Sequence, residues 1–357
     1  LGDVYKRQSP NIAPEPSIMK VLQESIMVPE NYKYAINELP EMKSAIHDWY
    51  KNRYNVELTY DEMICLQGSQ EALSTLFLAM CDPGDIVLVP DPYYPIFSDG
   101  PKIAGAKVEY MPLLQENNYV IQLDQIDEEI AKKAKIMIVS YPNNPTCAIA
   151  PDSFYEELIQ FAKKYDIVVL HDNAYSELVF DGKVGKSFLS FEGAKEIGIE
   201  LNSFSKTYGM AGARLGVCVG NKEVIDCYNT LKSNMDYGIF LPIQYAGIEA
   251  LRHGGASIHS TCQAYQDRRD AICEAFDEVG WHIDKSPATM FVWARIPDQY
   301  EDSYAFTKDL MEKTGVVVTP GQAFGVHGTR YVRLALVQDI EDIQKAAERI
   351  KKSEIFK

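Results

Sequence analysis

Ser203, Ser205 and Lys206 sit in the segment "NSFSKTYGMAGARLG", and Arg214 follows the lysine by eight residues. An amine, two hydroxyls and a guanidinium at this spacing suit a lysine that condenses with a phosphorylated aldehyde while its neighbours hold the phosphate. A lysine after small polar residues more often sits in solvent, so the weight rests on what other segments bring to it.

Four upstream segments and one downstream segment supply matching parts. Gly68-Ser69-Gln70 lies between a strand pattern and a helix pattern, where backbone amides bind phosphate and glycine permits close approach. A plain turn with Ser69 as helix cap explains the same residues. "DPYYPIF" places Tyr93 and Tyr94 after an apolar strand, where an aromatic ring can stack on a planar heterocycle or simply pack in a core. In "YPNNPTCA" the amide of Asn144 can donate to a phenolate oxygen, and Asn144-Pro145 is a candidate cis bond. "VVLHDNAYSEL" carries Asp172 past the end of a buried strand, where a carboxylate is costly without a cation. A pyridinium N–H is such a partner, and a helix-capping role is the competing reading. Tyr175 can reach the same phenolate as Asn144. In "RYVRLALV", Arg333 lies within an apolar strand and needs an anion, for which a substrate carboxylate is suitable. Arg330 is expected to be solvated.

These residues need a frame that brings strand ends together. Met63–Gln67, Asp85–Pro90, Ala106–Leu113, Lys135–Tyr141, Ile167–Leu170, Ile197–Phe204 and Ala213–Val219 read as strands, with helical spacing over Ser69–Met80 and Pro151–Lys164. Their nearly unbroken apolar character predicts burial on both faces. The expected fold class is α/β, a large domain with a mostly parallel seven-stranded sheet flanked by helices, plus a smaller α+β domain. Long helical patterns over 241–279 then lead to strands at Trp281–Asp284, Met290–Ile296, Val316–Thr319 and Tyr331–Val337. The expected division is 31–248 for the large domain and 249–357 for the small one, with 9–30 packing against the latter. The opening "LGDVYKRQ", residues 1–8, fits nothing after it and reads as a non-native remnant.

The chain has 357 residues, and its formal charge of −16 opposes binding to nucleic acid or an anionic membrane. Seven scattered cysteines without a C-x-x-C pair indicate neither a disulfide framework nor a zinc site, so no metal is expected. No apolar run reaches membrane-spanning length, and the expected location is cytoplasmic.

Taken together, "SFSKTYGMAGARLG", "YPNNPT" and "HDNAY" resemble the class I/II aminotransferases, the fold-type I pyridoxal-phosphate enzymes, from about Ser9 to the C-terminus. "YKYAINELPEM" and "SNMDYGIFLP" are similar to the branch holding LL-diaminopimelate and aspartate-type aminotransferases. The resemblance implies ping-pong transfer of an amino group from an amino acid to a 2-oxo acid by a homodimer with shared sites. It makes Lys206 the Schiff-base lysine, pairs Asp172 with the pyridine nitrogen, and gives Asn144 and Tyr175 the ring oxygen. Tyr94 becomes the stacking aromatic; Gly68, Ser69, Gln70, Ser203, Ser205 and Arg214 form the phosphate cup, and Arg333 clamps the carboxylate. Tyr34 matches a tyrosine that reaches the neighbouring subunit's phosphate. Two departures stand out. Cys147 replaces a usual glycine, so a positive φ there implies strain, and Gln8 stands where the family has a glycine turn, with the arm that precedes it absent.

Other classes fit less well. Ser203-x-x-Lys206 with Lys313-Thr314-Gly315 imitates a penicillin-binding serine acyl enzyme, but no S-x-N or Y-x-N lies between them. A non-catalytic cofactor-binding regulator would have little reason to keep the lysine, the aspartate and both arginines. Lyases and decarboxylases share the electron sink, and the residues alone leave them open. Tyr237, Ile239 and Phe240 are expected to line the substrate pocket.

Overall fold

The computed structural model describes residues 8–356. The segment 1–7, most of the expected remnant, lies outside the described residues, as does residue 357.

Seven strands form the main sheet: β1 (Met63–Leu66), β2 (Ile86–Asp91), β3 (Lys107–Pro112), β4 (Ala134–Ser140), β5 (Val168–Asp172), β6 (Gly198–Ser203) and β7 (Gly216–Gly220). Their spatial order is β1-β7-β6-β5-β4-β2-β3. The run from β6 through β5, β4 and β2 to β3 is parallel, and β7 runs antiparallel to both β1 and β6. Alternate residues face opposite layers. Met137, Val139 and Val169 enter one core, while Ile136, Ile138, Leu170 and Ile199 enter the other. Burial of both faces is why these strands read as unbroken apolar runs.

The sheet's polarity explains how distant segments meet. The parallel strands β2, β4, β5 and β6 end at one edge, which carries the chain past Asp91, Ser140, Asp172 and Ser203. Because β7 runs the other way, its start at Gly216 lies at that same edge, opposite Ser203 of β6 and Leu66 of β1. Arg214 and Gly68 therefore arrive beside Lys206 without any long excursion. Ligands of open α/β sheets collect at such an edge.

A second, antiparallel sheet has the order β8 (Phe291–Arg295), β10 (Tyr331–Ala335), β9 (Thr319–Pro320). Helices Gly255–Asp277, Ser303–Thr314 and Ile340–Ser353 pack around it. The expected strand Trp281–Asp284 is not one. Trp281 and Ile283 are buried and alternate with exposed residues, yet the segment joins no ladder. Trp281 instead stacks between Phe276 and Phe356, and its indole donates to the Arg295 carbonyl. Period-two burial here reflects a chain laid over a helix end.

The expectation for 9–30 needs correcting in its larger part. Asn11 donates to the Val337 carbonyl at 2.8 Å, and Ile12 joins the core of the second sheet. The helix Pro16–Ile26, however, packs along Leu241–His253 and turns Ile18 and Leu22 into the core beneath the large sheet. Four-residue spacing puts these two side chains on one stripe, and that stripe chooses the helix's partner.

Among the described residues no helix is long and apolar enough to cross a membrane. All seven cysteines are unpaired thiols.

Candidate active site

One cavity of about 310 Å³ is lined by Ser69, Gln70, Tyr94, Asn144, Asp172, Tyr175, Ser203, Ser205, Lys206, Arg214 and Arg333. Eleven of the thirteen residues that the family resemblance assigns to the site thus share one space. Gly68 stands directly behind it and works through what it lacks: at φ +75°, a Cβ there would lie 2.5 Å from the Arg214 guanidinium. Only glycine lets that cation close on the helix Ser69–Met80.

Tyr34 is not brought in. Its ring is 76% exposed and packs on Tyr237 at 4.9 Å, outside the cavity. The expectation for Tyr34 concerns a neighbouring subunit's phosphate and is not decided by one chain; the chain's own cavity does not meet the expectation for Tyr237, Ile239 and Phe240. None of them lines the cavity; Tyr237 and Phe240 are exposed, and Ile239 is buried in the main core. Gln8, Ala174 and Phe291 line it as well.

The turn after β4 shows how sequence sets position. Asn143 folds it, accepting from the Thr146 amide and hydroxyl and donating from its side chain to the Ser140 carbonyl. Asn144 is thereby freed to face the cavity, and the Asn144–Pro145 bond is cis, as is Tyr141–Pro142. Cys147 adopts φ +63° and is fully buried, so the strain expected from the sequence is present. Its sulfur accepts from the Thr289 hydroxyl and lies 3.2 Å from the Phe291 carbonyl. Cys147→Gly would relieve about 1 kcal/mol of backbone strain. It would also empty a packed site and leave the Thr289 hydroxyl proton without its sulfur acceptor, at a cost of about 2 kcal/mol. We expect a net loss of about 1 kcal/mol, read from urea unfolding midpoints.

Asp172 sits at the last position of β5 and is buried. Among the described residues, one carboxylate oxygen, Oδ1, has no hydrogen-bond partner. Burial pushes its carboxyl up to about 6, opposed by His171, the Ala174 amide and Lys206. Lys206 is also largely withdrawn from water, and burial, Arg333 and Arg214 together lower its ammonium to about 8 while Asp172 resists. Tyr94 donates to Gln70 Oε1 at 3.0 Å, and burial raises its phenol. Burial likewise raises Tyr175, against the pull of Arg333. Ser203 accepts from the Ser205 amide at 3.2 Å.

Among the described residues, Arg333 is a buried cation without a carboxylate partner. It lies on β10, and its guanidinium carbon is 4.0 Å from the Phe291 ring centre and 4.5 Å from that of Phe324. It donates to Asn144 Oδ1 at 2.8 Å and to Gln8 Oε1, while its Nε has no partner among the described residues. Burial lowers the pKa of its guanidinium to about 10. Two aromatic faces fix the plane of the fork and shield it from water. The two rings were missed in the sequence because aromatics on strands and short helices look like core. Arg330 is not simply solvated: it donates to the carbonyls of Pro297, Tyr300 and Glu301, and so holds a loop.

Lys313-Thr314-Gly315 closes the helix Ser303–Thr314, where Lys313 pairs with Asp309 at 2.8 Å. None of the three lines the cavity, which removes the serine acyl reading.

The sequence pattern of the family described as aminotransferase class I and II matches residues 5–350. The chain belongs to this family. Within it, the chain is 46% identical over 341 residues to the LL-diaminopimelate aminotransferase of Halothermothrix orenii, covering 95% of this chain and 87% of that one. The enzyme of the same name from Moorella thermoacetica is 44% identical over 326 residues, 91% of this chain and 83% of its own. Among solved structures, substrate-bound BacF from Bacillus subtilis superposes with a TM-score of 0.94 at 37% identity, over 97% of this chain and 88% of that one. This aminotransferase therefore has the fold-type I architecture expected from its motifs, and members of its family use pyridoxal phosphate.

Proposed function

We propose that this aminotransferase holds pyridoxal 5'-phosphate through Lys206 and transfers amino groups in a ping-pong cycle, with LL-diaminopimelate as amino donor and a 2-oxo acid as acceptor. The observation that carries the cofactor assignment is the unpartnered, buried Oδ1 of Asp172 in the same cavity as the Lys206 amine. A ring N–H supplies the missing donor, and the bound ring then serves as an electron sink. The donor assignment rests on the relatives' names and their identities of 46% and 44%.

In this reading Lys206 Nζ, partly neutral near pH 8, takes and returns the proton at the substrate Cα. Asp172 keeps the ring nitrogen protonated. Asn144 Nδ2 and the Tyr175 hydroxyl would hold the ring oxygen, Tyr94 would cover the ring, and Gly68, Ser69, Gln70, Ser203, Ser205 and Arg214 would take the phosphate. Arg333 binds the α-carboxylate, and its partner Asn144 ties that clamp to the ring oxygen's donor. The exposed aromatic cluster of Tyr32 against Phe240 and Tyr34 against Tyr237 supports a homodimer, with Tyr34 contributed to the partner's phosphate. A cytoplasmic setting is supported by seven free thiols.

The test is a half-reaction on the cofactor-loaded enzyme. LL-diaminopimelate should shift the visible spectrum to that of pyridoxamine phosphate, and a 2-oxo acid should restore it. No shift with any amino acid, or a shift only with donors lacking the second amino acid end, overturns the reading. Arg333→Lys keeps the charge but loses the fork. It should raise KM for the donor about 10- to 100-fold, the range of one charge-assisted hydrogen bond, and change kcat far less.

A further inference from the structure

Lys232 lies on the helix Lys222–Met235, is only 4% exposed, and belongs to no part of the site described so far. Its ammonium donates to Glu71 Oε1 at 2.6 Å and to Asp236 Oδ2 at 2.7 Å. Glu71 stands in the first turn of the helix Ser69–Met80, directly behind Gly68-Ser69-Gln70, and its other oxygen accepts the Gln67 amide at 2.6 Å. Asp236 Oδ1 accepts the Gly238 amide at 2.8 Å. Gly238, at φ +89°, packs so closely that a Cβ would fall 1.8 Å from the Ala35 carbonyl oxygen, next to Tyr34. One buried ammonium therefore joins the loop before the phosphate cup to the turn that supports Tyr34 and Tyr237.

The electrostatics make this more than a brace. A carboxylate in the first turn suits a bare helix N-terminus, but it repels a phosphate bound at that same terminus. The Glu71 carboxylate cannot leave, since it fixes the Gln67 amide. Something must cancel its charge, and Lys232 is the cation that touches it.

We propose that Lys232 is a positioning residue for the cofactor phosphate: it neutralises Glu71 behind the cup and ties the cup to the Asp236–Gly238 turn. This rests on the assignment of Gly68-Ser69-Gln70 to phosphate under the proposed function. A second, uncharged tie joins the same two helices, Thr75 Oγ1 to the Tyr228 hydroxyl at 2.9 Å, and serves as a control.

The experiment measures binding of pyridoxal phosphate, and separately of inorganic phosphate, to the cofactor-free protein by calorimetry. Lys232→Met should weaken both about tenfold, since a bare Glu71 charge then opposes the phosphate. The pair Glu71→Gln with Lys232→Met should recover to within about threefold of wild type. Tyr228→Phe should bind both ligands as wild type does. At saturating cofactor, kcat of Lys232→Met should stay within about threefold of wild type. Unchanged affinity in Lys232→Met overturns the proposal. So does a double variant as weak as the single one, which would assign the loss to packing. Should Lys232→Met not fold, Glu71→Gln alone decides: it should bind inorganic phosphate at least as tightly as wild type, and weaker binding refutes the idea. A wild-type protein that takes inorganic phosphate but not pyridoxal phosphate overturns the cofactor assignment while leaving the phosphate ranking to judge Lys232.

Discussion

Lys206→Ala is expected to lower kcat by about 10⁴-fold or more and to abolish covalent capture of pyridoxal phosphate, because in the proposed function one amine carries both the anchor and the proton transfer. The surrounding charges explain why this amine can do so at neutral pH. Burial, Arg333 and Arg214 bring its ammonium from 10.5 to about 8. At pH 7 about a tenth of the side chain is then neutral, against less than about a thousandth for an ordinary lysine. Capture by the cofactor-free protein should accelerate about tenfold from pH 6 to pH 7 and level off above pH 8. Stopped-flow absorbance reads this directly. A Lys206→Ala protein that still turns over at more than about a hundredth of the wild-type rate, or a capture rate flat in pH, would sink the assignment.

Much of this site could be read in the chain because its parts lie at strand ends. Apolar runs predict the strands, and a residue such as Asp172 just past one of them is conspicuous for the cost of burying it. The helix Ser69–Met80 was legible to the residue, since Ala72, Leu73, Leu76 and Phe77 make one apolar face. What the sequence hides is the antiparallel sense of β7, since buried strands look alike in either direction. That sense is what brings Arg214 to the edge.

The misreadings share a cause. Trp281–Asp284 has the alternation of a strand but no neighbour to pair with, and periodicity reports burial, not ladders. Tyr237 and Phe240 are aromatic in a segment near the site, yet they face outward in a single chain. The pair of rings around Arg333 comes from Phe291 on β8 and Phe324 at the end of the short 3-10 helix Gly321–Phe324, so no local pattern joins them. Lys232 was equally silent: a lysine in an amphipathic helix reads as solvated, and only the packing of two helices shows two carboxylates closing on it.

Asp172→Asn separates function from stability in opposite directions. The amide has the carboxylate's shape but cannot hold a proton on the ring nitrogen, so kcat should fall about 10³-fold, the scale of losing a buried electrostatic partner at the reacting ring. The cofactor-free protein should respond the other way. Burial raises the Asp172 carboxyl from 3.8 to about 6. An acid whose folded pKa exceeds its unfolded one contributes fully below the unfolded value and loses stability as pH rises towards the folded value. At pH 7 that loss is complete and amounts to about 3 kcal/mol. The substituted amide carries no charge to desolvate, so the variant without cofactor should be more stable than wild type at pH 7, and the gap should shrink to about 0.6 kcal/mol by about pH 4 and vanish below about pH 3. Urea midpoints at these pH values test this. Equal stability at pH 7 would mean that Asp172 is already paired within the chain, and the argument that its free oxygen awaits a ring N–H would fail with it. The cost borne by the empty protein is released when a cation arrives, which is how a carboxylate at the end of a buried strand favours a protonated ring over a neutral one.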